Sequence, residues 1–407
     1  MTRLLLWRHE VGKWWMHIGY KAAADNTVAV KGDEGSDEEY LGVVLGVTSH
    51  TRSTMAKLNV VLLSVFVLVT PTLQQACQPS VTRFTLDNKA EIPCSRALIF
   101  EDNFDTLNLD VWNHEITMAG GLTEDQYGLP YLSSGTISLW GGAPADQCTN
   151  PSFWGCERTG NPVNILNPTK SARIRTVNSF SFMYGTVEVR AKMPAGDWLW
   201  PAIWMMPKQN AYGTWPLSGE IDLVESRGNL NLVKDGQNIG SEMAGNTLHF
   251  GPFWPLNGYE SAHFETNTAA GQGFDTDFHL YQLEWTPDYL LFKIDNVETG
   301  RITPPAGGFY EFGNFAQQAP GSENPWRYGT KMAPFDQEFY MIINLAVGGV
   351  AYFPDDAQNP GGKPWTNDSP QAMLDFLNGR GQWEPTWDMS EGGASSLVVD
   401  YVRVWSL

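Results

Sequence analysis

Three carboxylates lie close together in Ser218–Ser226, a segment that is otherwise mostly apolar. Glu220 and Asp222 are two positions apart, whereas two apolar residues separate Asp222 from Glu225. In a regular β-strand, Glu220 and Asp222 would share one face and Glu225 would point to the other. One inserted residue, a β-bulge at Leu223-Val224, would return Glu225 to the face of the other two. The spacing therefore predicts a bulged strand with three acids on one face.

Three acids on one face repel one another, which raises the pKa of at least one of them and separates an acid from a base. Glycoside hydrolysis needs this arrangement, because one carboxylate attacks while one carboxylic acid protonates the leaving oxygen. The spacing alone does not choose between retention and inversion, since the bulge changes the reach along the strand. A Ca²⁺ site and a solvated acidic face are the alternatives, and the flanking apolar residues speak against the solvated face.

Tryptophans precede the acids in the segment GDWLWPAIW, where Trp198, Trp200 and Trp204 lie one predicted strand upstream. Indole rings stack on the apolar faces of sugars, so we expect these residues in a sugar cleft, and core packing is the alternative for one of them. His249 could bind a sugar or tune the acid, with a structural role as the alternative. The sequence contains no HExxH motif, paired CxxC motif, P-loop or Gly-x-Ser-x-Gly motif, so zinc, nucleotide and serine-hydrolase chemistry lack support.

Seven apolar segments separated by Gly, Pro and Asn turns favour β-strands, whose side chains have a period of two. They are Gly185–Met193, Ala202–Met206, Gly219–Val224, Phe278–Trp285, Tyr289–Asp295, Phe339–Val347 and Leu397–Trp405. Helical periodicity occurs only near Pro370–Asn378, where we expect one short helix. Gly- and Pro-rich stretches at 141–168, 228–262, 304–334 and 354–370 predict long loops. The pattern is typical of a β-sandwich or barrel whose loops build the binding surface.

The composition favours a neutral polar ligand. The 407 residues include 26 Lys+Arg and 45 Asp+Glu, which gives a net charge of −19 and argues against nucleic-acid binding. Only 17% of the residues are charged, whereas 13% are aromatic, including 17 Trp. A surface rich in aromatic residues and poor in charge suits carbohydrate.

The apolar run Leu58–Val69 is 12 residues long, too short to span a bilayer. It follows Met55 and Lys57, and it precedes small and polar residues before Cys77, as in a secretory signal peptide. We therefore expect a signal peptide at 55–76 and a secreted protein without a membrane span in its mature form. Residues 1–54 would be a non-retained or disordered extension that lies apart from the fold. For the apolar run Leu58–Val69, the alternative is a buried helix or an internal membrane anchor.

All four cysteines follow this predicted cleavage point, and an even number in a secreted chain points to disulfides rather than a metal site. Proximity in sequence favours Cys77 with Cys94 and Cys148 with Cys156. Four cysteines allow three pairings, and free buried thiols remain an alternative.

The motifs together resemble glycoside hydrolase family 16, most closely the invertebrate β-1,3-glucanases and β-1,3-glucan-binding proteins. They are EIDLVE at 220–225, GDWLWPAIWMMP at 196–207, NLAVGG at 344–349 and VDYVRVW at 399–405. The resemblance covers 97–407, with 77–96 as an N-terminal arm. It implies a jelly-roll β-sandwich with an open cleft and a retaining mechanism. Glu220 matches the nucleophile, Glu225 the general acid/base and Asp222 the assisting carboxylate.

The resemblance also implies supporting sugar contacts from His249 and Asn344, and a β-1,3-glucan polysaccharide as partner. We expect a monomer that requires no cofactor, with a structural Ca²⁺ near Asp400 as an option that family members suggest. Two functions stay open: a secreted endo-β-1,3-glucanase, and a pattern-recognition protein of innate immunity that binds glucan with little or no hydrolysis. The two intact glutamates and the shortness of the arm at 77–96 favour the enzyme.

Overall fold

The structure is a computed structural model that describes residues 4–6, 77–117, 136–138, 148–151, 155–160, 169, 171–388, 390 and 392–407. Strands dominate this part of the chain. In chain order they are β1 (Leu4–Leu6), β2 (Arg83–Leu86), β3 (Lys89–Glu91), β4 (Leu98–Asp102), β5 (Asn113–His114), β6 (Thr136–Ser138), β7 (Glu157–Thr159), β8 (Arg173–Arg175), β9 (Phe180–Met183), β10 (Gly185–Lys192), β11 (Leu199–Pro207), β12 (Glu220–Ser226), β13 (Val233–Lys234), β14 (Gln237–Asn238), β15 (Met243–His249), β16 (His263–Asn267), β17 (His279–Trp285), β18 (Leu290–Ile294), β19 (Val297–Ile302), β20 (Phe339–Val347) and β21 (Leu397–Trp405).

The α-helices in the same residues are short and lie in the second half of the chain. They are α1 (Gly308–Phe312), α2 (Phe315–Gln318), α3 (Ala372–Asn378) and α4 (Arg380–Trp383), and two 3-10 turns occur at Tyr259–Ser261 and Glu384–Thr386. No helix in the described ranges is long and apolar enough to cross a membrane.

Two antiparallel sheets form the body of the molecule. The smaller sheet has the order β1-β21-β10-β17-β18-β19, and β4 also pairs with β21. The larger sheet has the order β16-β15-β12-β11-β20-β9-β2-β3, with β8 paired to β20 and β5 paired to β8. Neighbours far apart in sequence, such as β10 with β21 and β11 with β20, require long crossing connections, as in a jelly roll. The predicted jelly-roll sandwich is confirmed.

The core lies between the two sheets and is built from one face of each. In β10, buried and half-buried residues alternate, and Val187 and Val189 are completely buried. The larger sheet contributes Ile203 from β11 and Ile343 from β20 to the same cluster. Alternation along each strand therefore supplies the apolar layer, as the sequence pattern predicts.

Strands β11, β12 and β20 are buried on both faces, which explains their nearly continuous apolar sequences. One face packs against the smaller sheet. A second apolar cluster joins the other face to the long loops, through residues such as Trp200, Leu345, Phe353 and Trp365. The loops thus build walls on the face of the larger sheet that points away from the core.

Most elements expected from the sequence are present. Every one of the seven predicted strands is observed, and β20 and β21 have the predicted bounds. The predicted loop at 228–262 is wrong in part, since it contains β15. Gly245 and Asn246 are poor strand formers, and burial on both faces removes the alternation that would have indicated a strand. The stretch 304–334 likewise contains α1 and α2.

The residues at 77–96 belong to the larger sheet, because β2 pairs with β9 and β3 pairs with β2. Both preferred cysteine pairings are confirmed: the Cα atoms of Cys77 and Cys94 are 5.2 Å apart, and those of Cys148 and Cys156 are 5.6 Å apart. The first disulfide therefore ties the start of the arm to the segment between β3 and β4, next to the bridge between Pro79 and Cys94.

Part of the expectation for the first 54 residues is wrong. Strand β1 pairs with the end of β21 that begins at Leu397, so Leu4–Leu6 are attached to the smaller sheet. Strand β4 pairs with Val402–Trp405, at the opposite end of β21. The backbone edge at Leu397–Val399 is therefore available for pairing with another strand. The predicted signal peptide at 55–76 lies outside the described residues, and removal of 1–54 stays a prediction.

Candidate active site

Strand β12 carries the three acids on one face because it contains the predicted bulge. Glu225 stands opposite Ala202 of β11, and Asp222 stands opposite Trp204. Three steps thus separate the acids on β12 where two steps separate their partners on β11. The register with β15 shifts between the same two acids. The predicted bulge is confirmed, and it returns Glu225 to the face of Asp222.

Glu220 and Asp222 form a compact cluster with His249, the last residue of β15. Glu220 stands opposite His249 in the register, and His249 Nε2 lies 3.3 Å from Asp222 Oδ2. One ligand atom from each of the three lies within 4.8 Å of the others. The side-chain amide of Asn257 contacts His249 Nδ1 at 2.8 Å, and Trp215 Nε1 donates a hydrogen bond of 2.6 Å to Glu220 Oε2. His249, which the sequence suggested as a site residue, therefore lies beside Glu220 and Asp222.

Burial dominates the electrostatics of the inner two acids, since Glu220 is 5% exposed and Asp222 is 3% exposed. Desolvation raises the pKa of Glu220 to about 8, with the charge of Asp222 acting in the same direction and His249 and the Trp215 hydrogen bond opposing it. Burial, followed by the charge of Glu225, raises the pKa of Asp222 well above its ordinary value. The two inner carboxyls therefore resist being ionised at the same time.

Glu225 occupies a different environment at the other end of the row. Its side chain is half-buried, and Trp200 Nε1 donates a hydrogen bond of 2.8 Å to Glu225 Oε1. Glu220 and Glu225 are thus each held by a separate indole N–H, with Asp222 between them. The arrangement provides one buried carboxylate and one more accessible carboxyl group on a single face, which suits nucleophilic attack combined with proton transfer.

Trp200, Trp204 and Asn344 lie on the same side of the larger sheet as the acids. Trp204 Nε1 donates a hydrogen bond of 2.6 Å to Asn344 Oδ1, and the guanidinium of Arg173 lies 4.6 Å from the centre of the Trp204 ring. Both tryptophans are nearly buried. The structure thus brings these predicted residues to the face of the acids, and their contact with sugar stays a prediction.

Trp198 is completely buried in the second apolar cluster, which corrects the expectation that it contributes to the cleft. Its side chain is 0% exposed and packs edge-on against Phe353 at 5.3 Å and Trp365 at 5.0 Å between ring centres. It precedes β11, and its φ of 66° breaks the strand alternation on which the expectation depended.

An aromatic surface that the sequence did not predict lies next to Glu220. Trp215 lies 5.5 Å from Trp254, and His249 lies 5.5 Å from Tyr259, measured between ring centres. Trp254 is 51% exposed and Tyr259 is 40% exposed, and we call these two residues with exposed Phe253 the aromatic rim. The Trp-Pro pairs at 215–216 and 254–255 are the only sequence feature that marks this surface. Periodicity could not predict it, because the residues lie on loops without a regular repeat.

Asp400 is paired with Arg190, and a structural Ca²⁺ near it stays a prediction. Its carboxylate accepts a hydrogen bond from the guanidinium of Arg190 and forms an ion pair with it, so a cation already occupies its neighbourhood. Ca²⁺ requires six to eight oxygen ligands. Among the residues that the structure describes, the group of His, Cys, Asp and Glu that could hold a metal is Glu220, Asp222 and His249, which lies at the candidate active site.

Comparison with known proteins identifies the family. The sequence model of glycosyl hydrolases family 16 matches residues 157–319, which include all three acids. A protein named beta-1,3-glucan-binding protein from Penaeus monodon is 47% identical over 349 residues, covering 77% of this chain and 91% of that protein. The chain belongs to glycoside hydrolase family 16. The resemblance inferred from the motifs is confirmed, including the relation to invertebrate glucan-binding proteins of family 16.

Two other similarities are more distant. Glucan endo-1,3-beta-glucosidase A1 from Niallia circulans is 34% identical over 272 residues, covering 62% of this chain and 34% of that protein. The solved laminarinase catalytic domain from Thermotoga maritima is 22% identical with a TM-score of 0.46, covering 77% of this chain and 99% of that one.

Proposed function

We propose that this protein is a secreted endo-β-1,3-glucanase that cleaves internal bonds of β-1,3-glucan with retention of configuration. The observation that carries the proposal is the bulge in β12, which places Glu220, Asp222 and Glu225 on one face. Each outer glutamate has its own indole donor, from Trp215 and Trp200. A chain that only bound sugar would need neither the bulge nor a buried carboxylate pair.

The proposed reaction has two steps. In the first, the Glu220 carboxylate attacks the anomeric carbon while Glu225 donates its proton to the departing glycosidic oxygen, leaving a glycosyl ester on Glu220. In the second, Glu225 accepts a proton from water as that water attacks the same carbon and releases Glu220. Asp222 hydrogen-bonds Glu220, and in the proposed mechanism Glu220 attacks from the protonation state in which Asp222 carries the proton of the inner pair.

The substrate class is supported by two kinds of observation. The named relatives bind or cleave β-1,3-glucan according to their names. The acids lie beside exposed Trp254 and Tyr259, whose rings can stack on the apolar faces of glucose units. A neutral polysaccharide also suits a chain with a net charge of −19, since no anionic ligand is required.

The second candidate is a recognition protein that binds β-1,3-glucan without cleaving it. The 47% identity to a protein named for glucan binding favours this candidate. The intact acids favour the enzyme, because a buried, mutually repelling carboxylate pair costs stability and serves no purpose in plain binding. The extracellular location and the monomeric state belong to the same proposal.

The experiment compares binding with hydrolysis. The purified protein is incubated with laminarin while reducing ends and bound polysaccharide are both measured. We expect reducing ends from the wild-type protein, binding without turnover from Glu220→Gln, and severe loss with natural substrate from Glu225→Gln. Exposed Glu260→Gln is the matched control and should retain wild-type rates. Binding with no release by the wild-type protein would reject the enzyme and support recognition.

A further inference from the structure

A stack of side chains connects Glu225 to Arg227, which lies two positions after it in the sequence. The guanidinium carbon of Arg227 lies 4.1 Å from the centre of the Tyr352 ring. The Trp200 indole lies 4.0 Å from the same ring, at an interplanar angle of 4°. Trp200 Nε1 then donates its hydrogen bond to Glu225. We call Arg227, Tyr352 and Trp200 the aromatic clamp.

Tyr352 lies between the other two members of the clamp. Two groups that each stand about 4 Å above a ring cannot occupy the same face, because their own van der Waals thickness fills that space. Arg227 therefore covers one face of the Tyr352 ring and Trp200 covers the other. The ring also meets Phe353 edge-on at 5.4 Å, so its rotation is restricted on three sides.

Arg227 fixes the backbone of Tyr352 as well as its ring. Its Nε and Nη2 atoms donate hydrogen bonds of 3.0 and 2.8 Å to the Tyr352 carbonyl, and its Nη1 donates one of 3.2 Å to the Ile239 carbonyl. The planar guanidinium can make these bonds and stack at the same time, which a lysine could not do. Tyr352 lies on the loop after β20, so Arg227 anchors that loop to the end of β12.

The geometry matters for Glu225 because an acid must be aimed at the departing oxygen. Glu225 is half-buried, and the Trp200 N–H holds one of its two oxygens. Trp200 itself is held flat against Tyr352. Proton transfer requires hydrogen-bond reach between donor and acceptor, and a misplacement of about 1 Å can cost roughly a hundredfold in rate.

We propose that Tyr352, held by Arg227, is a positioning residue for the proton-transfer step: it fixes the Trp200 indole so that Glu225 is presented to the leaving group. The proposal rests on the proposed glucanase function and adds to it a residue outside the acidic motif. It predicts a specific kinetic signature. Loss of the clamp should impair substrates that need protonation of the leaving oxygen and spare substrates that do not.

The experiment measures kcat/KM for Tyr352→Ala on laminarin and on a dinitrophenyl glycoside of laminaribiose. Dinitrophenolate departs without a proton, and kcat/KM reports only the steps up to bond cleavage. We expect kcat/KM on laminarin to fall roughly tenfold to a hundredfold, and kcat/KM on the aryl glycoside to change less than about threefold. Tyr352→Phe keeps the ring and should behave as wild type. Trp200→Phe removes the N–H donor and should reproduce the selective loss.

Two results for Tyr352→Ala would overturn the proposal. Equal losses on both substrates would mean that Tyr352 acts in sugar binding or folding, and unchanged laminarin hydrolysis in a folded Tyr352→Ala protein would mean that it has no role. Should Tyr352→Ala not fold, Tyr352→Leu fills most of the volume without a planar face and must show the same selective loss. A wild-type protein that cleaves neither substrate would reject the glucanase function itself, which separates that failure from a failure of the clamp.

Discussion

Trp215 Nε1 donates a hydrogen bond of 2.6 Å to Glu220, and this contact opposes the effect of burial on the same carboxyl group. Desolvation raises the pKa of Glu220 to about 8, whereas the indole donor stabilises its charged form. A nucleophilic carboxylate must be ionised to attack. The loop that carries Trp215 therefore helps to set the pH range in which Glu220 can act.

Replacing Trp215 by Phe should move the acid limb of the kcat/KM profile to higher pH, by about 1 pH unit. The Trp215 hydrogen bond lowers the pKa of Glu220, so losing this donor raises that pKa and Glu220 ionises only at higher pH. The limb reports the coupled inner pair in the free protein.

Trp254→Phe is the matched control, since it makes the same chemical change in the neighbouring ring of the aromatic rim. It should leave the acid limb in place. If Trp215→Phe showed the wild-type limb, the contact would not tune the nucleophile.

Glu220→Gln should stabilise the fold at neutral and alkaline pH. The ordinary pKa of 4.5 rises to about 8 in the folded protein, so the folded state binds more protons than the unfolded state between these values. The free energy of unfolding of the wild-type protein therefore falls as pH rises through this window. Thermal melting of both proteins checks this, with an advantage for the variant that grows from about pH 5 to about pH 8. A pH-independent difference would contradict it, and exposed Glu260→Gln should show no growing advantage.

Trp254→Ala in the aromatic rim should weaken binding of long glucan chains by about 1–3 kcal/mol, by analogy with the stacking of bases on aromatic side chains. Half of the Trp254 side chain is exposed, so little packing is lost and the melting temperature should hardly change. In kinetics the effect should appear in KM for laminarin with kcat nearly constant. Val297→Ala, at an exposed position of β19 on the smaller sheet, is the control. An unchanged KM would exclude the rim from the sugar path.

Chelation tests the metal options directly. Asp400 is paired with Arg190, so we expect EDTA to leave the melting temperature unchanged. Since the proposed mechanism uses carboxyl groups alone, laminarin hydrolysis should also persist. A melting temperature that falls with EDTA and returns with Ca²⁺ would restore the structural Ca²⁺ expected near Asp400. Loss of activity alone would point instead to a metal at Glu220, Asp222 and His249.

The bulge could be predicted from the sequence because a regular strand would place Glu225 on the face opposite Glu220 and Asp222, whereas catalysis requires all three acids on one face. Glu220 and Asp222 fit a strand of period two, and Glu225 does not unless one residue is inserted. Strand β10 could be predicted because only one of its faces packs in the core, so its buried and half-buried residues alternate.

Other parts of the site could not be predicted from local patterns. Strand β15, which carries His249, is buried on both faces and contains Gly245, so it has neither alternation nor strand propensity. Trp198 has a positive φ, and its side chain is buried in the second apolar cluster instead of lining the cleft. The contact of Trp215 with Glu220 depends on how a loop folds back over β12, which no periodicity encodes.

The most direct measurement of the central claim is to trap the covalent intermediate. A fluorosugar derivative of laminaribiose with an activated leaving group should react once and accumulate on the nucleophile, because the fluorine slows both steps while the activated leaving group speeds only the first. Peptide mass spectrometry should then find the glycosyl group on Glu220, and Glu220→Gln should take up no label. A label on Asp222 or Glu225, or hydrolysis of laminarin without any labelled peptide, would contradict the account.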